Sequence, residues 1–156
     1  SAARATTDVG NRGPGGLMFT ELETSTHGDF VVLRFLQCLA GGQPDLPTPI
    51  AEVFAHAGPS CTKEFLIDGQ PAGPGYATLQ LFDLTSSTHT MLINGVELPR
   101  WDVPGPSSPN TWFSWTEAIP EGLLVRGSNQ ITLRCTDEEA RFLVRDVIVH
   151  WHERRP

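Results

Sequence analysis

Residues Thr90–Leu98 read TMLINGVEL. Two short apolar runs are separated by Asn94-Gly95 alone. A two-residue link between paired strands needs positive φ twice, which Asn and Gly tolerate best, so this stretch predicts a β-hairpin with a type I′ turn. The same period-2 logic extends outward. In Gln130–Cys135, Ile131, Leu133 and Cys135 alternate with Gln130, Thr132 and Arg134, which predicts a half-buried strand. Phe30–Leu39 places Val31, Leu33 and Phe35 on one side and Arg34 on the other. Lys63–Ile67, Tyr76–Leu84, Trp112–Trp115 and Phe142–Trp151 read as further strands. Ile50–His56 fits either a short strand or one turn of helix.

The connections are rich in helix and sheet breakers. The stretches AGGQPDLPTP (40–49), QPAGPG (70–75) and PRWDVPGPSSPN (99–110) hold many of the 13 prolines and 15 glycines, and all three are expected to be irregular. Pro120–Gly127 is read as a turn that could include a single helical turn, and Thr136–Ala140 as a polar loop. No segment sustains a 3.6-residue period, and no internal repeat is present. Eight or nine short strands with Gly/Pro turns predict an all-β antiparallel sandwich or barrel.

At 156 residues the chain has the length of one domain. Its apolar runs fall far short of a membrane-spanning helix. Eleven basic against 18 acidic residues give a net charge of −7, which argues against nucleic acid and anionic membrane surfaces as partners. Lys63 is the one lysine among the 11 basic residues, a bias read mainly as GC-rich codon usage. The three cysteines, Cys38, Cys61 and Cys135, form no C-x-x-C and read as small strand hydrophobes, the alternative being one disulfide between two of them in an oxidising compartment with the third left over. Residues 1–16, SAARATTDVGNRGPGG, lack large apolar side chains. They are expected to form an arm without regular structure, either flexible or ordered along a sheet edge or on another chain. No leader pattern stands at the start, so the expected location is cytoplasmic or, after removal of a leader, extracellular.

From Thr78 to Leu133 the chain runs strand, LINGVELP, loop, WFSW, then IPEGLLVRGSNQITLR. The hairpin Ile93-Asn94-Gly95-Val96, followed by the element Leu124, Gly127, Asn129 and Ile131, resembles the galactose-binding-like jelly-roll modules found beside glycoside hydrolase catalytic domains. The resemblance covers about a third of the chain in detail. It implies a jelly-roll β-sandwich over residues 17–156 and a non-catalytic, carbohydrate-binding role. No recognisable calcium-binding or sugar-ligand motif accompanies it.

The aromatic group around the 99–110 loop is the candidate ligand site. Trp101 lies in the Pro-rich loop, where its flat ring could stack on a sugar, and Arg100, Asp102 and Asn110 could hydrogen-bond hydroxyls. Trp112 and Trp115 are read either as ligand contacts or as plugs of the core or rim. His150 and His152 lie two residues apart on one strand face, so both could reach one metal. A third ligand would have to come from His56, His89 or elsewhere. The chain contains no G-x-S-x-G, H-E-x-x-H or P-loop, and the glycines of 10–16 lack the lysine and helix of a phosphate cradle. Glu138-Glu139 reads as a solvated turn. The expectation is therefore no enzyme, no cofactor, and a glycan as ligand. The rival is a structural subunit, a homo-oligomer being one form, that uses its arm and sheet edges to contact other protein chains.

Overall fold

The computed structural model of the chain describes residues 2–5, 26–56, 58–82, 84, 89–99 and 111–154. Among these residues ten strands form two sheets packed face to face, a jelly-roll β-sandwich. The larger sheet has the order β1-β2-β10-β5-β8. These strands are Ala2–Ala5, Thr26–Ala40, Arg141–Arg154, Pro71–Phe82 and Trp112–Ile119, and β3 (Ala55–His56) pairs with β2. The smaller sheet has the order β4-β9-β6-β7: Ser60–Ile67, Gly127–Cys135, His89–Ile93 and Val96–Glu97. All pairings are antiparallel except β2 with β3.

The alternation read from the sequence sets the core. Leu79, Leu81, Val147, Val149 and Trp151 project from the larger sheet, and Ile67, Met91, Ile93, Ile131 and Leu133 from the smaller; all ten are buried. Each such aliphatic side chain contributes about 1.5–3 kcal/mol through burial. Gln130 is exposed, and Thr132 and Arg134 are only partly buried, so the register of β9 is the expected one.

The hairpin forms as expected. Ile93 pairs with Val96, and the turn residues Asn94 and Gly95 take φ of 51° and 80°. Leu98 lies past the short β7, yet its amide still donates to the Met91 carbonyl at 2.9 Å. At the end of the 120–127 turn Gly127 takes φ 98°, a left-handed value that suits glycine. No helical turn forms between 120 and 127.

Three segments depart from expectation. Ala2–Ala5, within the arm expected to lack regular structure, forms β1, with Ala2 opposite Val31 and Ala5 opposite Gly28. Backbone pairing to a sheet edge needs no large side chain, so apolar poverty did not exclude it. The 40–49 stretch ends in a single helical turn, α1 (Thr48–Ala51), with proline in its first turn, where a missing amide costs no helix hydrogen bond. The 50–56 segment thus supplies both structures considered for it, the end of α1 and then β3. The stretch 70–75 belongs largely to β5, although it carries two prolines. Its ladder to β10 skips between the Ala72–His152 and Tyr76–His150 pairs, and pairing to β8 starts at Gly75. Pro74 therefore sits in an irregularity where no ladder donor is required. None of the three cysteines is disulfide-bonded.

Candidate functional site

The larger sheet buries one face in the sandwich, and its other face decides what the chain can offer a ligand. On β5, Ala77, Leu79 and Leu81 point into the core, so Tyr76, Thr78, Gln80 and Phe82 point outward. The register sets their neighbours. Phe30, His150, Tyr76 and Ala118 form one row across β2, β10, β5 and β8. Val32, Ile148, Thr78 and Thr116 form the next. Gln80 then pairs with Ser114, and Phe82 with Trp112.

The two ends of this face differ. At the Trp112 end the segment carrying α1 folds over the sheet. Phe54, Leu46 and Ile50 pack with Cys38, Leu143, Phe82 and Trp112 in a second small core. The Trp112 ring lies 5.7 Å from the Phe54 ring and 5.2 Å from that of Phe82, and the Arg145 guanidinium stands 4.3 Å from its centroid. At the other end the apolar side chains stay open. Tyr76 is 42% exposed and Val32 44%. The Phe30 and His150 rings lie 6.0 Å apart in a tilted contact. Between the ends is a polar strip. Thr78 and Thr116 share a hydroxyl–hydroxyl hydrogen bond of 2.9 Å. Gln80 Oε1 is buried with no hydrogen-bond partner, beside a hollow of about 90 Å³ lined by Gln80, Trp112, Phe113, Ser114 and Arg145.

The charge on this face is small and mostly paired. Arg34 Nε donates to Asp146 Oδ1 at 3.3 Å. Burial holds the His150 imidazole below the usual histidine range, so the ring is neutral at neutral pH. An exposed aromatic ring beside hydroxyls, on a sheet face with few charges, can stack on an apolar ring face and exchange hydrogen bonds with hydroxyls.

The structure places the sequence-predicted residues unevenly. Trp112 and Trp115 lie on opposite faces of β8. Trp115 turns inward against the main core, and its indole N–H donates to Glu117 Oε2 at 2.9 Å. The two rings are not brought together. Arg100, Trp101, Asp102 and Asn110 lie outside the described residues. His150 and His152 do share the outer face of β10, with Trp151 and Glu153 buried on the other side. His56 is engaged elsewhere, with Nδ1 3.2 Å from the Cys38 carbonyl, and the buried His89 packs edge-on to Phe142. His27 meets Glu153, its Nε2 2.8 Å from Oε2. Among the described residues no group of three His, Cys, Asp or Glu side chains could hold a metal ion. Burial pushes the Cys61 and Cys135 thiols up, away from the thiolate form a nucleophile needs.

A larger hollow of about 360 Å³ lies between residues 40–45 and 138–141. Asp45, Glu138 and Glu139 line it, no aromatic ring does, and Arg141 there donates to the Asp45 carbonyl at 2.7 Å. Tyr76, Phe30, Thr78, Thr116, Gln80 and Arg145 were not singled out by sequence reasoning. The signal was the second half of an alternation: Tyr76, Thr78 and Gln80 interleave with Ala77, Leu79 and Leu81.

In comparison with known proteins, a family of unknown function matches residues 27–153. No curated protein matches the chain. Among solved structures, a family 35 carbohydrate binding module from an environmental isolate is 16% identical with a TM-score of 0.47, over 96% of this chain and 83% of that one. The CBM36-1 domain of a multidomain xylanase from the hindgut metagenome of Trinervitermes trinervoides is 13% identical with a TM-score of 0.45, over 77% of this chain and 95% of that one. The β-porphyranase BpGH86A from Bacteroides plebeius is 16% identical with a TM-score of 0.49; the match covers 80% of this chain and only 20% of that chain.

Proposed function

The chain belongs to that family of unknown function, DUF7383, and we propose that it is a non-catalytic module that binds carbohydrate on the outer face of its larger sheet. The observation that carries this reading is the open end of that face. Tyr76 is 42% exposed and belongs to a row with His150 and Phe30, next to the hydroxyls of Thr78 and Thr116. An aromatic ring beside hydroxyls and amides, without dense charge, suits a neutral sugar, whose ring has both an apolar face and a fringe of hydroxyls. The hairpin and the Leu124–Ile131 element, the parts that resemble glycoside hydrolase accessory modules, agree with this role by analogy of fold.

Trp101 is proposed as a second aromatic contact, with Arg100, Asp102 and Asn110 as its polar neighbours, whereas Trp112, packed between Phe54 and Phe82, is assigned to the roofed core. Trp115, packed against the core, is assigned to holding β8 in place. Stacking of this kind supports weak binding, in the micromolar to millimolar range, or roughly 4–8 kcal/mol.

A glycan array probed with the wild-type chain, Tyr76→Ala and Trp101→Ala tests the reading. The expected result is retention on one or more neutral glycans, loss of that retention in both variants, and nearly unchanged melting temperatures. Absence of any hit for the wild-type chain, together with a solution mass above that of a monomer, would replace this reading with that of a structural subunit.

A further inference from the structure

Asn94-Gly95 is chemically the most labile dipeptide of the chain, and the structure holds its reactive group in place. In the reaction in question, the backbone nitrogen of Gly95 loses its proton and attacks Asn94 Cγ. A C–N bond closes a five-membered imide, the bond from Cγ to the side-chain nitrogen breaks, and ammonia leaves. Water then opens the ring at either carbonyl, leaving an aspartyl or isoaspartyl linkage. No oxidant or reductant is involved. The attack needs a carboxamide free to rotate towards the next amide.

Here every polar atom of that carboxamide is engaged. Asn94 Nδ2 donates to the Leu123 carbonyl at 2.7 Å and to Asn129 Oδ1 at 2.9 Å. Asn94 Oδ1 accepts the Gln130 amide at 2.8 Å. The backbone is engaged as well, since the Asn94 amide donates to the Gln130 carbonyl at 2.9 Å. Asn129, fully buried, anchors the other side. Its Oδ1 also accepts the Val125 amide at 2.9 Å, and its Nδ2 donates to the carbonyls of Val125 at 2.8 Å and Gly127 at 3.1 Å.

We propose that Asn94 is a fold-gated modification site, protected from deamidation while the Asn94–Asn129 network is intact and modified only when the turn opens. The product would not fit back. A carboxylate at position 94 has no N–H to give to the Leu123 carbonyl or Asn129 Oδ1, and it sets negative charge against both oxygens. An isoaspartyl linkage also lengthens the backbone of a turn whose register needs two residues. The hairpin would therefore keep a permanent covalent record of having opened.

The test is a time course at mildly alkaline pH, with aspartyl and isoaspartyl forms of the 94–95 peptide resolved by mass spectrometry and chromatography. Wild-type protein is followed folded and in denaturing urea, beside Asn129→Ala under folding conditions. Because only the open form reacts, deamidation in the folded protein should be slower by at least about tenfold than in urea. Asn129→Ala should narrow that gap. Where that variant does not fold, the wild-type pair alone decides, and Asn94→Asp supplies a second readout as a lowered unfolding midpoint. Equal rates in folded and unfolded wild-type protein would overturn the proposal. So would a folded Asn129→Ala variant that reacts no faster than wild type, or an Asn94→Asp variant with an unchanged midpoint.

Discussion

One face of one sheet ends in two different ways. At the Trp112 end, Phe82, Cys38 and Leu143 point outward and are roofed by Phe54, Leu46 and Ile50. At the Tyr76 end, Phe30, Val32 and Ile148 point outward from the same strands, and Tyr76 and Val32 remain more than 40% exposed. The strands offer similar chemistry at both ends; the difference is whether another segment lies on top. An apolar outer row becomes core where α1 and Phe54 cover it, and stays exposed where nothing among the described residues does.

This contrast predicts a separation of effects. The largest belongs to the roof. Phe54→Ala should cost roughly 3–5 kcal/mol of stability, as truncation of a packed aromatic ring does, and leave glycan retention intact. Denaturant unfolding measures the cost, and retention lost in parallel with stability would merge the two ends into one unit. Next comes the open end. Tyr76→Ala should weaken glycan binding by about 1–2 kcal/mol, roughly five- to thirtyfold, and change stability by less than about 0.5 kcal/mol. Calorimetric titration beside a thermal melt separates those two numbers.

Smaller effects lie at the boundary. Arg145 stands 4.3 Å from the Trp112 centroid, and Arg145→Ala should cost about 0.5–1 kcal/mol of stability, the worth of an exposed cation–π contact. The smallest effect is pH-dependent. Burial lowers the pKa of His150, so as pH falls the unfolded chain takes up this proton before the folded one does. This residue's contribution to stability should therefore decline as pH drops through the ordinary histidine range, and level off once the folded form is protonated too. His150→Gln should flatten that part of the pH–stability curve. An unchanged slope would show that the ring is not held neutral by the sheet.

What was legible in the sequence was local. Asn94-Gly95 announced its turn because positive φ restricts residue type. Ile131, Leu133 and Cys135 announced their face because strand side chains alternate. The opposite orientation of Trp112 and Trp115 was also within reach, since an odd spacing on a strand places two residues on opposite faces. The prolines of 70–75 misled because Pro71 takes the first position of β5 and a bulge relieves Pro74 of a ladder donor, which depends on how β10 and β8 align alongside. Exposure of Tyr76 and partial burial of Phe82 could not be separated from sequence. Both are outward positions of β5, and only the path of residues 41–54 across the sheet distinguishes them. The Ala2–Ala5 strand was hidden for a related reason, because its partner is the backbone of β2 and small side chains carry no mark of that.

The most direct test of the open-face account is an NMR titration of the folded chain with the best-retained soluble oligosaccharide from the array. The account predicts that shifted signals cluster on Phe30, Tyr76, Thr78, Thr116 and His150, while Leu46, Ile50 and Phe54 stay still. Shifts confined to the roofed end, or to the acidic hollow around Glu138 and Glu139, would contradict it.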